Sequence, residues 1–234
     1  MFERLYQNIV LEKPKFILLI LTFIVLSFGY FSKNFKLDAS SDTLLLENDP
    51  DYIYLKEITK RYGTNEFLIL TYEPLKKITH NDTISELINL KLDIEKFSWV
   101  KSVITILDIP LLENSDDNIT DTLKNYKTLK DKNIDKEKGF NEILKSPVFK
   151  NFIISEDGSV SSIIVNIKKT NYPEGLNAKD LQKIKDNNKI KNHKNILEIR
   201  KLINQYKINN TEINIHLGGV PMIADDMISF IKKD

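Results

Sequence analysis

The hydrophobic pattern is dominated by one run without charged residues near the N-terminus. This run extends from Phe16 to Ser32 and is flanked by Lys15 and Lys33. At about 1.5 Å of rise per residue it covers about 25 Å, and the flanking lysines can extend their amines to the polar interfaces of a bilayer. The pattern therefore predicts a transmembrane helix over residues 16–32.

A cleaved signal peptide and a buried core helix stay open as alternatives for the same run. The run is longer than the apolar part of a usual signal peptide, and no Ala-x-Ala cleavage site follows it. Basic residues slightly favour a cytoplasmic N-terminus, since three precede the run and two follow it: Arg4, Lys13 and Lys15, then Lys33 and Lys36. We therefore expect a cytoplasmic tail over residues 1–15, a single-pass anchor in a bacterial inner membrane and a periplasmic C-terminal part.

We predict that segment 33–65 is a periplasmic connector that contains a helix. Turn-forming residues surround a short apolar triplet, and the pair Asp49-Pro50 then begins a helical pattern. This pattern extends from Asp51 to Tyr62, and Gly63 follows it as a helix-ending glycine.

Between residues 66 and 219, compact or alternating apolar runs predict strands, and apolar residues at helical spacing predict helices. Phe67–Tyr72 begins with consecutive apolar residues, so we expect a strand that is covered on both faces at the centre of a sheet. The predicted strands are residues 67–72, 100–109, 149–155, 159–168 and 212–217, and the predicted helices are residues 81–97, about 119–130, about 136–145 and 180–207.

The order of these elements predicts the fold class. When residues of about 110–158 are set aside as a helical and hairpin insertion, the order is strand, helix, strand, strand, helix, strand. This βαββαβ order is the ferredoxin-like, split βαβ pattern, and an antiparallel sheet with two helices on one face follows from it. We therefore predict an α+β fold with a ferredoxin-like domain over residues 66–219.

The segment after the last predicted strand has the features of a hinge or coupling element. Gly218 and Gly219 free the backbone, Pro221 lies where a helix begins, and Asp225 and Asp226 fall near its first turn. The alternatives are a simple strand exit for the glycines and stabilisation of the helix start for the acids, which are also candidates for cation binding or proton relay. We expect residues 220–234 to begin a truncated second membrane helix that frays or lies at the membrane surface.

Charge and composition add to this picture mainly by excluding one class of partner, nucleic acid. The 234 residues include 34 basic and 33 acidic side chains, a balance without an electrostatic footprint for nucleic acid. We therefore expect the lipid bilayer as a partner and no nucleic acid. The lysine-rich stretch Lys183–Lys201 is predicted to be a solvated helix face, with contact to acidic lipid head groups as the alternative.

The residues that carry most enzyme chemistry are absent or scattered. The chain has no cysteine, which excludes disulfides, thiolate metal sites and cysteine nucleophiles. Its three histidines, His80, His193 and His216, lack the spacing of metal-binding motifs. We therefore predict no catalytic residue, no metal ligand and no cofactor, and we do not expect an enzyme.

Two stretches resemble the MMPL-like exporters of the RND superfamily. The sequence LDASSDTLLLENDPDYIYLKEITKRYG follows the apolar run as the start of the first periplasmic loop does in that family, and LGGVPMIADDMISFIKKD resembles the segment that leads into the second membrane helix. The resemblance implies the first membrane helix and first periplasmic porter domain of a proton-driven exporter, which contacts hydrophobic or lipid-like substrates.

By the same resemblance, the proton-relay carboxylates lie in membrane helices that this chain lacks. We therefore expect an N-terminal fragment that is not transport-competent alone and that has the remainder of the exporter or further copies of itself as partners. The alternative is a single-pass, membrane-anchored extracytoplasmic domain that binds a ligand or acts as a sensor.

Overall fold

The structure, a computed structural model, describes residues 13–32, 48–62, 66–112, 126–170, 173, 175–210 and 213–233. The chain divides into two compact units, which comprise residues 1–38 and 39–234.

The first unit contains a single described helix, α1, over Pro14–Ser32. The helix has a mean hydropathy of 2.0 and buries none of its residues within the structure. A polar side chain inside it is satisfied locally, because the Thr22 hydroxyl donates to the Leu18 carbonyl at 2.8 Å. By length and composition α1 can cross a membrane, and it is the one helix among the described residues that can. The predicted span is confirmed to that extent.

The second unit begins with α2, which extends over Pro50–Tyr62. The Asp49 carboxylate accepts from the backbone amides of Asp51 and Tyr52 at 2.8 and 3.3 Å and so caps the helix start. Pro50 occupies a position where its missing amide is not needed. The helix predicted over residues 51–62 is therefore confirmed.

The remaining described elements form a mixed α and β domain around one four-stranded antiparallel sheet. The strand order is β2-β3-β1-β4, which places β1 at the centre between β3 and β4. The predicted central position of the first strand is therefore confirmed. The elements are β1 Phe67–Pro74, α3 Asn81–Glu95, β2 Val100–Ile104, α4 Lys136–Lys145, β3 Ser161–Ile167, α5 Ala178–Asn209, β4 Ile213–Gly218 and α6 Val220–Lys233.

The core lies against one face of the sheet. Leu68, Leu70 and Tyr72 of β1 are fully buried, whereas Ile69 is half-buried and Phe67 is 41% exposed. The prediction that β1 is covered on both faces is therefore wrong for one of them, because successive side chains point to opposite faces and the face that carries Phe67 and Ile69 is only partly covered. The core also contains residues of α3 and α5: Ile84, Leu87, Leu90 and Ile94, then Ile196, Ile199 and Ile203.

The second strand is shorter than predicted. β2 ends at Ile104, and Ile106–Asp108 form a 3-10 turn instead of the strand predicted to Ile109. Thr105 begins this turn as a cap, since its hydroxyl accepts from the Leu107 amide while the Asp108 carboxylate accepts from the Thr105 amide at 2.8 Å. Ile106 and Leu107 stay buried, so the apolar run continues without strand geometry.

The predicted strand over residues 149–155 is also wrong. The segment turns at Asn151, whose φ of 63° is left-handed, and its amide donates to the Ile154 carbonyl at 2.7 Å. Only isolated bridges remain, between Lys150 and Ile154 and between Ile154 and Ser161.

The insertion helices had two different outcomes. The helix predicted near residues 136–145 is confirmed as α4, which Asp135 caps by accepting from two backbone amides at 3.1 Å. Most of the helix predicted near residues 119–130 lies outside the described residues, and the described residues 126–130 are not helical.

Candidate functional site

The glycines that end β4 are held closely against the central strand. Gly219 has a φ of 115°, and a Cβ atom there would lie 2.9 Å from the Phe67 carbonyl oxygen and 3.2 Å from the Leu68 Cα. At Gly218 the nearest atom to a Cβ would be the Ile69 carbonyl oxygen at 3.7 Å, an ordinary contact. The backbone therefore requires glycine at position 219 and tolerates a side chain at position 218.

Gly219 also begins α6. Its carbonyl accepts from the backbone amides of Met222 and Ile223, both at 3.1 Å. Pro221 is buried, and its carbonyl accepts from the Asn192 side-chain amide of α5 at 2.8 Å. The junction between β4 and α6 is therefore fixed against both the sheet and α5.

Two carboxylates of α6 bind partners on α5. Asp225 is 6% exposed, and its two carboxylate oxygens lie 2.9 and 3.1 Å from Nδ1 of His193. One terminal nitrogen of Arg200 donates to both carboxylate oxygens of Asp226, at 2.9 and 2.8 Å. We name these four residues the α5–α6 latch, because they join the two helices.

The latch corrects the role predicted for the two acids. Asp225 and Asp226 lie beyond the first turn of α6, which holds no acidic residue, so they do not stabilise the helix start. Their oxygens are already engaged by His193 and Arg200, an arrangement that favours holding α6 in place over binding a free cation. α6 also packs on α5, β1 and β4, whereas the expectation that it frays or lies at the membrane surface stays a prediction.

The sequence indicated the junction between β4 and α6 but not its partners on α5, which are Asn192, His193 and Arg200. One signal was available, because Arg200 is one of three arginines in a chain that otherwise uses lysine. Arginine holds a carboxylate in a fixed geometry that lysine does not reproduce, so a rare arginine on a lysine-rich helix indicates a specific acidic partner.

A second polar region is an open groove between α3 and α5, with a volume of about 830 Å³. Glu86, which lines the groove, accepts at 2.7 Å from the hydroxyl of the buried Tyr72, and the Asn210 side-chain amide donates to the other oxygen of Glu86 at 2.8 Å. The Tyr206 hydroxyl donates to Asp93 at 2.7 Å. These hydrogen bonds connect β1, α3 and the C-terminal end of α5.

The electrostatics of these contacts keep Tyr72 and Tyr206 neutral and Asp93 charged. Burial and the hydrogen bond to Glu86 raise the pKa of Tyr72 far above its usual value, and burial and the bond to Asp93 do the same for Tyr206. The bond from Lys96 and then that from Tyr206 lower the pKa of Asp93. Within the described part of the chain, no three side chains among His, Cys, Asp and Glu converge as a metal site would require.

Comparison with known proteins gives no relative for this chain. No protein-family model matches it, and neither a curated protein nor a solved structure is significantly similar to it.

Proposed function

We propose that the chain is the membrane-anchored, porter-type part of an RND/MMPL-like exporter. In this proposal α1 spans the inner membrane, and the sheet domain lies in the periplasm as a ferredoxin-like porter domain. The domain contacts hydrophobic or lipid-like substrates, has no enzyme activity and acts with the remainder of the exporter or with further copies of itself.

The order of elements carries the proposal. An apolar helix precedes a domain whose strands occur in the order β2-β3-β1-β4, with α3 between β1 and β2 and α5 between β3 and β4. This arrangement supports a split βαβ domain, and the additional segment between β2 and β3, which includes α4, supports the predicted insertion. The direct passage from β4 through Gly219 into α6 adds support, because a coupling element needs a fixed joint at the sheet.

Exposed apolar side chains on α2 supply a surface for a lipid-like substrate. Tyr54, Leu55 and Ile58 are 65%, 51% and 37% exposed and lie on one side of the helix, because side chains three and four positions apart are neighbours on its surface. Their exposure supports contact with an apolar ligand, because exposed apolar patches commonly mark binding surfaces.

Labelling of a single cysteine tests the orientation. The chain has no native cysteine, so Leu75→Cys, at a side chain that is 74% exposed, creates one accessible thiol in the domain. We expect a membrane-impermeant maleimide to label it in spheroplasts that carry the full chain. Labelling only after lysis would place the domain in the cytoplasm and overturn the proposal.

Photocrosslinking tests the substrate class. The full chain in nanodiscs is irradiated with a fatty-acyl diazirine probe, and the crosslinked peptides are mapped. We expect labelling of α2 that excess unlabelled fatty acid reduces and that Leu55→Ser lowers, with Leu75→Ser as the matched control. Labelling confined to α1, which contacts bilayer lipid in any case, would contradict a substrate surface on the domain.

The groove between α3 and α5 favours a second candidate, an anchored domain that binds a polar ligand. Its lining combines Glu86, Asp93 and Tyr206 with side-chain amides, which suits a polar ligand better than a lipid-like one. A polar ligand that protects the groove from hydrogen exchange, together with absence of lipid-probe labelling on α2, would favour this candidate over the exporter.

A further inference from the structure

The outer side of α6 carries an apolar stripe that the rest of the described domain does not cover. Val220, Ile223, Phe230 and Ile231 are between 50% and 69% exposed. At 100° per residue these side chains and the half-buried Met227 share one face of the helix, opposite the buried Asp225. We name the five apolar residues the α6 stripe.

Helix α5 also carries exposed apolar side chains, in a row that lies beside α6. Ile190, His193, Leu197 and Arg200 recur at intervals of three and four residues, so they form one row along the helix. His193 and Arg200 bind α6, which places the row beside that helix. The other two members of the row, Ile190 and Leu197, are 57% and 51% exposed.

Positive charge borders this surface. Lys194 and Lys201 are exposed, and each follows one of the two apolar residues of the α5 row by four positions. Lys233 is exposed in the last turn of α6. The carboxylates of Asp225 and Asp226 are engaged by the latch. The exposed apolar side chains are therefore bordered by cationic side chains, and this combination is complementary to a membrane surface with anionic lipid head groups.

The chain itself keeps such a bilayer within reach. Residues 33–49 connect α1 to α2, and 17 residues cannot extend beyond about 60 Å in any conformation. A domain tethered at this distance meets the bilayer surface at a high effective concentration, so even a weak contact is populated.

We propose that the α6 stripe, together with Ile190, Leu197 and the lysine border, binds the surface of a bilayer that contains anionic lipids. The apolar side chains enter the boundary between head groups and acyl chains, and Lys194, Lys201 and Lys233 contact the head groups. This inference rests on the membrane anchoring in the proposed function and not on export, so a failed substrate test leaves it standing.

A fluorescent probe in the full chain tests the contact. Phe230→Cys and Leu75→Cys each place a polarity-sensitive fluorophore at an apolar side chain of similar exposure, 69% and 74%. Leu75 is the matched control, because it follows the end of β1 remote from the β4–α6 junction. Each labelled chain is reconstituted at one copy per nanodisc, with phosphatidylcholine alone or mixed with phosphatidylglycerol, and is quenched by lipids brominated in the acyl chain.

We expect the probe at position 230 to shift to the blue and to lose most of its emission to brominated lipid only when phosphatidylglycerol is present. The double substitution Lys194→Glu and Lys201→Glu is expected to remove this quenching, whereas Lys101→Glu, at an exposed lysine of β2, leaves it unchanged. Ile223→Cys provides a second probe position if labelling at position 230 unfolds the domain.

Three outcomes would overturn the proposal. Equal emission at positions 230 and 75 under all conditions means that the stripe does not meet lipid. Quenching without dependence on phosphatidylglycerol removes the role of the lysine border. A blue shift that appears only with several copies per nanodisc, without quenching by brominated lipid, means that a second copy of the chain covers the stripe.

Discussion

The Cα hydrogens of Gly219 face the Phe67 carbonyl so closely that no side chain fits between the two residues. A Cβ at position 219 would lie 2.9 Å from that oxygen, and the φ of 115° is one that other residues rarely adopt. The end of β4 and the start of β1 are therefore joined through a backbone contact, and α6 starts at this contact.

Gly219→Ala should destabilise the domain by roughly 1–3 kcal/mol from the backbone conformation alone, with the close contact adding to that cost. Gly218→Ala is the matched control, because its Cβ would meet only an ordinary contact at 3.7 Å. The measurement is urea unfolding of the full chain in detergent, followed by the fluorescence of Trp99, the single tryptophan. Equal stability of the two variants would contradict the fixed joint.

The two faces of β1 should respond differently to a buried charge. Leu68 is fully buried, so Leu68→Asp should cost about 4 kcal/mol or more, because an unpaired carboxylate enters the core. Ile69 is only half-buried, so Ile69→Asp can keep its carboxylate near water and should cost clearly less. The same unfolding measurement checks both variants, and similar losses would mean that the outer face of the sheet is covered as completely as the inner face.

The positions of the sheet strands were largely predictable from the sequence. Compact apolar runs such as Phe67–Tyr72 stand apart from the polar residues around them, so no neighbouring segment offers an alternative strand. The prediction was wrong where a polar side chain or the backbone of a turn competes with the strand for backbone hydrogen bonds. Thr105 and Asp108 close a turn inside an apolar run, and Asn151 turns the chain through a left-handed conformation. An apolar pattern alone does not record such local competition.

The candidate site was predictable only in part. The glycine pair and the two acids of α6 were visible as a local cluster, whereas their partners lie 26 to 32 residues away on α5. Helical spacing shows which α5 residues share a face, but it does not show which helix packs against that face. The latch therefore needed the tertiary structure.

Asp108 should make the domain sensitive to acid. Burial alone would raise the pKa of this carboxyl, but hydrogen bonds from Lys130, from Lys91 and from the Thr105 amide together lower it. A pKa lowered by folding contributes stability above the unfolded value, which is near 3.8, and this contribution is lost as the pH falls through the folded value. We therefore expect the free energy of unfolding to decline below about pH 4.

Replacement of the Asp108 carboxylate tests this origin. Asp108→Asn should lower the stability at pH 7 by about 1–3 kcal/mol, because Lys91 and Lys130 lose the carboxylate that they share, and should make the decline in acid shallower. Asp82→Asn is the control, since its ion pair with Lys76 is exposed to solvent and screened by salt. An unchanged acid profile in the Asp108 variant would assign the pH dependence to other carboxylates.

The α5–α6 latch should control how often α6 opens while the sheet stays closed. Arg200→Ala removes the donor that holds Asp226. Loss of a hydrogen bond to a charged group costs about 1.5–3 kcal/mol, which corresponds to hydrogen exchange in α6 that is roughly tenfold faster or more. The amides of β1 should not change. Glu198→Ala is the matched control, because it removes a bond between α5 and Trp99 without touching α6. Mass-spectrometric exchange on the full chain in nanodiscs measures both segments, and equal acceleration of α6 and β1 would mean that Arg200 stabilises the whole domain and not the latch.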